Sequence, residues 1–247
     1  NSARAWVWGH GNGHCNGHGH DCDDLPELDG ELIVDPAALA PYAIDAGNAI
    51  HHTPVAVLKP GSVADIQKMI CYARAHDIQV AARGQAHTTF GQNMVDGGLV
   101  IDMRSLSTIH SIDSNSADVG AGAKWDELLN AAVPLGLTPP VLTGYLGLSI
   151  GGTLSVGGVS STNRQGAQVD RVRALQVVTG EGDVMWCSQH QNKKLFEGVL
   201  AGLGQLGIIT RAVVDLVPAP SMARVYLINH TDAASFFQNL FTLLDRG

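Results

Sequence analysis

The sequence predicts an α+β fold, or a mixed α/β one, and two stretches carry that prediction. The first, TPVAVLKPGSVADIQKMICYARAHDIQVAARG, predicts a β-α-β unit: a short apolar strand closed by Pro60-Gly61, a helix capped by Ser62, and a second strand. The second, RVRALQVVTGEGDVMWCS, has two apolar runs joined by Gly-Glu-Gly-Asp and predicts a β-hairpin. Helices and strands alternate, but hairpins interrupt the alternation, which disfavours a plain doubly wound sheet.

Local signals mark the ends of the early helices. Asp35 and Pro36 predict a helix start, with the aspartate as N-cap and the proline at the first helical position. The helix of the β-α-β unit carries apolar residues at helical spacing, and we expect it to end at His76 and Asp77.

The later elements follow the same reasoning. The segments GGLVIDMRSLSTIHSID and SADVGAGAKWDELLNAAVPLGL predict a strand, a strand and a helix over residues 124 to 135. The segment KKLFEGVLAGLGQLGIITRAVVDLVPAP predicts a helix, a glycine-rich corner and a strand that ends at Pro218.

Composition narrows the class of protein. The chain has 247 residues, of which 45% are apolar and 15% charged, so it can bury the core of one large domain. Its net charge of −8, without any Lys/Arg run, argues against a nucleic-acid surface. No apolar stretch is long enough to span a bilayer, and the first residues lack the layout of a signal peptide. We therefore expect a soluble protein and leave its compartment open.

Residues 1 to 24 predict a flexible tail rich in Gly, His and Asn. The tail contains potential metal ligands: His10, His14, Cys15, His18, His20 and Cys22. A glycine-rich segment does not preorganise its potential ligands around a metal ion. We therefore expect only adventitious metal binding there and predict no defined metal site. The four cysteines lack metal-ribbon or redox spacing, and they do not indicate the redox compartment.

Two segments, RGQAHTTFGQ and LSIGGTLSVGGVSS, are rich in glycine. Glycine lets a backbone approach a ligand closely, and successive exposed N–H groups form a concave site for a pyrophosphate. Neither segment is a Rossmann or P-loop motif, so a pair of tight turns in a β-rich domain is the alternative. His87, within the first segment, has an equally ordinary alternative as a surface or hydrogen-bonding histidine.

Five segments together resemble a known family. LDGELIVDPAALAPYAIDAGN, PVAVLKPGSVADI, ARGQAHTTFGQ, LSIGGTLSVGGVSS and VLAGLGQLGIITRAVVDLVPAP occur in this order, as in the PCMH-type flavin domain of the vanillyl-alcohol oxidase superfamily, especially in cytokinin dehydrogenases. The resemblance implies an FAD held between two α+β subdomains. It also implies an oxidase or dehydrogenase that takes hydride from a C–N or C–O bond of a small molecule, with oxygen or a quinone as electron acceptor.

The same resemblance assigns residues to the cofactor. In cytokinin dehydrogenases the first loop reads Arg-Gly-x-Gly-His-Ser, and its histidine binds the flavin 8α-methyl covalently. His87 occupies that place here, with Ala86 for the second glycine and Thr88 for the serine. The residues that this carry-over places at the FAD are His87, Gly84, Gln85, Ala86, Thr88, Gln92, Ser149, Gly152, Ser155, Val159 and Ile209.

One departure from the family concerns the chemistry. The family has Trp-Thr-Asp-Tyr-Leu before the second glycine-rich segment, and its aspartate takes the proton from the substrate amine. This chain reads LTGYL there, so Gly144 stands in place of the aspartate and cannot act as a base. The general base is therefore left open: Tyr145 could shuttle a proton, although packing is its ordinary role.

The other departure is length. Members of the family are about twice as long, because a substrate domain follows the flavin domain. We expect a flavin domain over residues 25 to 220 and the first strand and helix of a substrate domain over 221 to 247, apparently truncated. A catalytically inactive flavin-binding remnant or fragment is the alternative function, and a metal-binding module on an unrelated scaffold is a weaker one.

Overall fold

The computed structural model describes residues 22, 24–161 and 165–246. The expected flexible tail lies outside the described residues, apart from Cys22 and Asp24. Cys22 forms a disulfide bond with Cys71. That bond removes Cys22 from the metal ligands considered for the tail, because a disulfide sulfur is not a thiolate.

The first half of the chain builds a small sheet and its helices. Its elements are β1 (Glu31–Ile33), α1 (Pro36–Leu39), β2 (Ala56–Lys59), α2 (Val63–Ala75), β3 (Val80–Arg83) and β4 (Leu99–Asp102). The strands lie in the order β1-β2-β4-β3, with β1 antiparallel and the other three parallel. All residues of β4 are buried, as expected for a central parallel strand.

The second half builds a larger antiparallel sheet. Its elements are β5 (Ile109–Ile112), β6 (Ser116–Gly120), α3 (Trp125–Ala132), β7 (Leu137–Thr138), α4 (Ile150–Val156), β8 (Val172–Val178), β9 (Val184–Ser188), α5 (Lys193–Val199), β10 (Ile208–Asp215), β11 (Val217–Pro218) and α6 (Ala233–Arg246). The sheet order is β5-β6-β10-β8-β9, and β7 pairs with β11 separately. Both sheets contribute to one hydrophobic core, in which Leu58 and Ile101 join Leu175 and Val177.

The local predictions hold at several places. The Asp35 carboxylate accepts a hydrogen bond from Ala38 N and caps α1, and the Ser62 side chain caps α2. The predicted hairpin is the antiparallel pair β8 and β9. The predicted mixture of helices and sheets is confirmed, because a mixed sheet and an antiparallel sheet share their core with helices.

Two predictions about helices need correction. The helix expected over 124 to 135 is α-helical only as α3, and residues 133 to 135 form a 3-10 turn, because Pro134 has no N–H to continue the ladder. Residues 150 to 156, expected to lie within a loop, form α4. Ile150 and Leu154, one helical turn apart, are buried, and that packing outweighs the cost of the two helical glycines, about 1 kcal/mol each.

The strand expected at the start of a substrate domain is also absent. Residues 224 to 230 belong to no strand, and Val225, Tyr226 and Leu227 are exposed. A strand needs a neighbour to bond its backbone, and the described residues offer none here. The predicted helix that follows is present as α6. Among the described residues, no helix is both long and apolar enough to cross a membrane.

Candidate functional site

The two glycine-rich segments meet in space. Gly84, directly after β3, packs on the side chain of Ser149, and a Cβ at Gly84 would collide with the serine Oγ. A Cβ at Gly152, on the first turn of α4, would also lie 2.8 Å from that Oγ. A side chain at 84 would therefore force the Ser149 hydroxyl to move, and glycine allows the segments to approach closely without that change. Their contact supports the prediction that the segments form one site.

The second glycine-rich segment is held by the start of α3. The backbone N–H of Trp125 donates to Leu148 O at 3.1 Å, and the indole N–H of Trp125 donates to Thr153 Oγ1 at 2.7 Å inside the protein. The N–H of Asp126 donates to Leu146 O at 3.1 Å. The backbone N–H groups at the start of α3 have no partner within their own helix, and they donate hydrogen bonds to this segment instead. These bonds fix the position of Ser149 and of the first turn of α4.

The loop that carries His87 is clamped on both sides of the histidine. Ala46 N donates to Ala86 O and Gly47 N donates to Thr88 O, both at 2.9 Å. Ala86 has a φ of 56°, in the left-handed region where a non-glycine residue is strained. His87 itself is exposed. The loop therefore presents this side chain outward from a fixed backbone.

Tyr145 lies beside His87. The ring centroids are 5.4 Å apart, with the planes tilted by 38°. The backbone carbonyl of Tyr145 accepts a hydrogen bond from Thr143 Oγ1 at 2.9 Å, and its hydroxyl lies over Gly147. The residue is 58% exposed, so it is not part of the core. The LTGYL stretch thus reaches the same surface as the histidine.

A buried polar network lies under the His87 loop. The Thr88 hydroxyl donates to Asp45 Oδ2 at 2.6 Å and accepts a hydrogen bond from the Asn93 side-chain amide. Asn93 Oδ1 in turn accepts from the Arg83 guanidinium at 2.8 Å. Asp45 also accepts from the Gly91 N–H at 2.9 Å. Both ends of the loop are therefore tied to the protein beneath it.

The charges in this network are compensated by hydrogen bonds. Burial acts to raise the pKa of Asp45, but the bonds from Thr88, Gly91, Asn48 and Gly47 outweigh it and lower that pKa. Burial lowers the pKa of Arg83, whose remaining donors bond backbone carbonyls of residues 41, 42 and 44. The Asp45 carboxylate is consequently ionised at neutral pH, and so is Arg83, since a guanidinium stays protonated in proteins.

The other predicted residues are more scattered. Gln92 accepts a hydrogen bond from Phe90 N at 3.1 Å, and Ser155 donates to Gly151 O at 2.8 Å. Val159 is 80% exposed, whereas the Ile209 side chain is only 4% exposed. Gln85 is half-buried. Ile209 lies on β10, against which α4 packs, so its backbone is nearer the predicted site than its position in the sequence suggests.

Sequence reasoning missed Arg83, Asp45 and Asn93. Asp45 opens the stretch Asp-Ala-Gly-Asn, and its carboxylate accepts from the N–H groups of Gly47 and Asn48, each at 3.1 Å. This is the pattern of an Asx turn, which the residue types alone could have indicated. No nearby residue in the sequence indicates the hydrogen bond from Thr88 to Asp45, because the two residues are 43 positions apart.

Residues 54–188 match a family described as FAD binding domain. This match covers more than half of the 247 residues.

The chain belongs to this FAD-binding domain family.

Three relatives agree with that membership and with the predicted resemblance. An oxidoreductase from the fasciation locus of Rhodococcoides fascians is 41% identical over 210 residues, which cover 85% of this chain and 48% of the relative. Cytokinin dehydrogenase 2 of Arabidopsis thaliana is 40% identical over 218 residues, which cover 86% of this chain and 44% of the relative. Cytokinin dehydrogenase 1 of Oryza sativa subsp. japonica is 41% identical over 217 residues, which cover 84% of this chain and 41% of the relative. The chain spans less than half the length of these relatives.

FAD is the ligand of this family, and Gly152 provides a test of where it binds. Gly152 is exposed, and a Cβ added there would have only the Ser149 Oγ within 4 Å outside the backbone of its own helix. We expect Gly152→Val to lose flavin, because its side chain would stand on the proposed binding surface. The stability should change little, because valine is no worse a helix former than glycine. The flavin content per chain and the thermal midpoint would be measured together.

The control for this experiment is Gly151→Ala, which changes the neighbouring glycine of the same helix. Gly151 is buried, and its Cβ would lie 2.7 Å from the Ala121 Cβ. This variant should lose stability through overpacking. If Gly152→Val keeps full flavin content, the FAD does not contact this part of α4.

Proposed function

We propose that this chain is the flavin-binding part of a cytokinin dehydrogenase-like oxidoreductase, which takes hydride from a C–N or C–O bond of a small molecule. The observation that carries the proposal is the junction of Gly84 with Ser149, beside the exposed His87. It brings together the two segments that the family resemblance assigns to the cofactor. The family membership and the cytokinin dehydrogenases among the relatives support the reaction class.

The geometry of the site fits an FAD. Gly84 has no side chain and lets the first segment lie against the Ser149 side chain, and successive backbone groups there suit a pyrophosphate. Large apolar side chains are exposed in or beside the segments, as a flavin ring requires: Phe90, Tyr145, Val156 and Val159. The residues that we propose to hold the cofactor are Gly84, Gln85, Ala86, His87, Thr88, Gln92, Ser149, Gly152, Ser155, Val159 and Ile209.

These contacts indicate which role belongs to the cofactor and which to the protein. A bound FAD supplies the capacity to accept a hydride, which no amino-acid side chain provides. The loops hold and orient it. The Thr88 hydroxyl hydrogen is already directed to Asp45, so Thr88 would meet the cofactor through its backbone or methyl group.

We propose further that His87 attaches the FAD covalently. His87 would give up the proton of a ring nitrogen and form a bond to the flavin 8α carbon, which also loses a proton. The bond would form with a two-electron oxidation, and dioxygen would be the oxidant, taking up those two electrons and the two protons as hydrogen peroxide. The exposure of the imidazole and the fixed backbone on either side support this role, because an attacking group must be both accessible and oriented.

The domain limits and the base remain part of the proposal. We assign residues 25 to 220 to the FAD-binding domain and 221 to 247 to the start of a substrate domain. Gly144 offers no base, and Tyr145, in ring contact with His87, is retained as a candidate for the proton transfer.

Two measurements on one preparation test the proposed function. The intact mass of the denatured chain should exceed the polypeptide mass by that of one FAD less two hydrogen atoms, and the native protein should be yellow. Bleaching of the yellow colour by a small amine or alcohol without oxygen would support an active oxidoreductase. A chain that binds no FAD would contradict the proposal, and a yellow chain that no such substrate bleaches would favour the inactive flavin-binding remnant.

A further inference from the structure

The segment that opens with Asp45 lies directly beside the loop of His87. Its backbone bonds Ala86 and Thr88, the two neighbours of the histidine. A Cβ at Gly47 would collide with the backbone of Thr89, so the two backbone segments touch without any side chain between them. The histidine backbone is therefore held by a second segment about 40 positions earlier in the sequence.

The Asp45 carboxylate fastens this contact. It accepts four hydrogen bonds, two from its own turn and two from the His87 loop, namely the Thr88 hydroxyl and the Gly91 N–H. Asp45 is only 6% exposed, so water cannot easily replace these bonds. Hydrogen bonds to a buried charged group are among the stronger ones in proteins, and leaving their donors unpaired is costly.

The Thr88 hydroxyl links Asp45 to the far side of the loop. It gives its hydrogen to Asp45 and accepts from Asn93, which Arg83 holds in turn. Only a hydroxyl can both donate and accept at this point, so valine, which has the same shape, would remove one hydrogen bond from Asp45 and one from Asn93. The loop is therefore fixed at residues 83, 88, 91 and 93, around an exposed His87.

We propose that Asp45 is a positioning residue that orients His87 for bond formation with FAD, acting through Thr88 and Gly91. This inference rests on the covalent attachment proposed above. Asp45 itself would not contact the reacting atoms. It holds the backbone from which the imidazole projects, and misplacement by about 1 Å can slow an oriented reaction by about a hundredfold.

The test is the time course of covalent incorporation when the flavin-free full chain is mixed with increasing FAD. We expect Asp45→Ala to lower the rate at saturating FAD by about ten- to a hundredfold, and Asp45→Asn to fall in between, because the amide keeps one acceptor oxygen. Thr88→Val should also slow incorporation, and Thr88→Ser should recover most of that loss. The FAD concentration at half-saturation should change less than the maximal rate.

The matched control is Asp232→Ala. Asp232 likewise accepts a backbone N–H and a hydroxyl, both from Ser235, but at the exposed start of α6. Its incorporation rate should equal that of the wild type. Incorporation at the wild-type rate in folded Asp45→Asn and Thr88→Val, with the wild type covalently loaded, would overturn the inference alone. A wild type that never attaches FAD would overturn the covalent attachment and, with it, this role of Asp45.

Discussion

His87→Ala should leave no flavin on the polypeptide after acid denaturation, whereas the wild type should stay yellow. The reason is chemical, because alanine has no nitrogen to bond the flavin 8α carbon. The variant should fold, since His87 is exposed and the loop around it is held by backbone bonds and by Thr88. The measurement is the visible absorbance of the washed precipitate, together with the intact mass.

A second exposed histidine supplies the control for that experiment. His110 lies on β5, in the antiparallel sheet, and His110→Ala should keep its covalent flavin in full. His87→Ala should still bind FAD reversibly, because the glycine-rich segments are unchanged. Flavin that remains attached in His87→Ala would assign the linkage to another residue, and flavin that leaves the wild type in acid would remove the linkage altogether.

Isopentenyladenine should be turned over near background by the wild type, and Gly144→Asp should raise that turnover. A positioned general base contributes about a hundred- to ten-thousandfold to a rate, and the family resemblance implies that Gly144 stands where cytokinin dehydrogenases have their aspartate. The site accepts the new side chain, since a Cβ at Gly144 would have no heavy atom within 4 Å. Gly144 is also exposed and lies outside the left-handed region, so the substitution should not strain the backbone.

The assay would use an artificial electron acceptor and the longest form of the protein that binds FAD. Gly144→Asn is the matched control, because it has nearly the same size as aspartate but cannot take a proton at neutral pH. A gain with aspartate and none with asparagine would identify the missing base. Strong wild-type turnover that neither substitution changes would show that the base for this reaction lies elsewhere.

The parts of the fold that were predictable have signals within a few residues. Asp35 and Ser62 cap the helices that they precede, since a cap bonds a backbone N–H only a few positions away. The hairpin of β8 and β9 follows from its two apolar runs and the glycine-containing turn between them. The pairing of the two glycine-rich segments in one site came from the family resemblance, not from the composition of either segment.

The parts that were wrong depend on distant partners. Helix α4 forms in a glycine-rich stretch because Ile150 and Leu154 are buried in the common core, which no local propensity reveals. The strand expected over 224 to 230 is missing because the described residues supply no neighbouring strand. The same segment has the residues of a strand, and only a partner would decide its structure.

The sequence by itself determined the membership in the FAD-binding domain family, the caps and the hairpin, and the presence of His87 in a glycine-rich loop. The tertiary structure alone decided which groups hold that loop. Asp45 and Thr88 are 43 positions apart, and Gly84 and Ser149 are further apart still. Their contacts arise when packing of the two sheets brings these segments together. Hydrogen bonds and close approaches of this kind depend on where the backbone runs in space, which residue type and spacing do not encode.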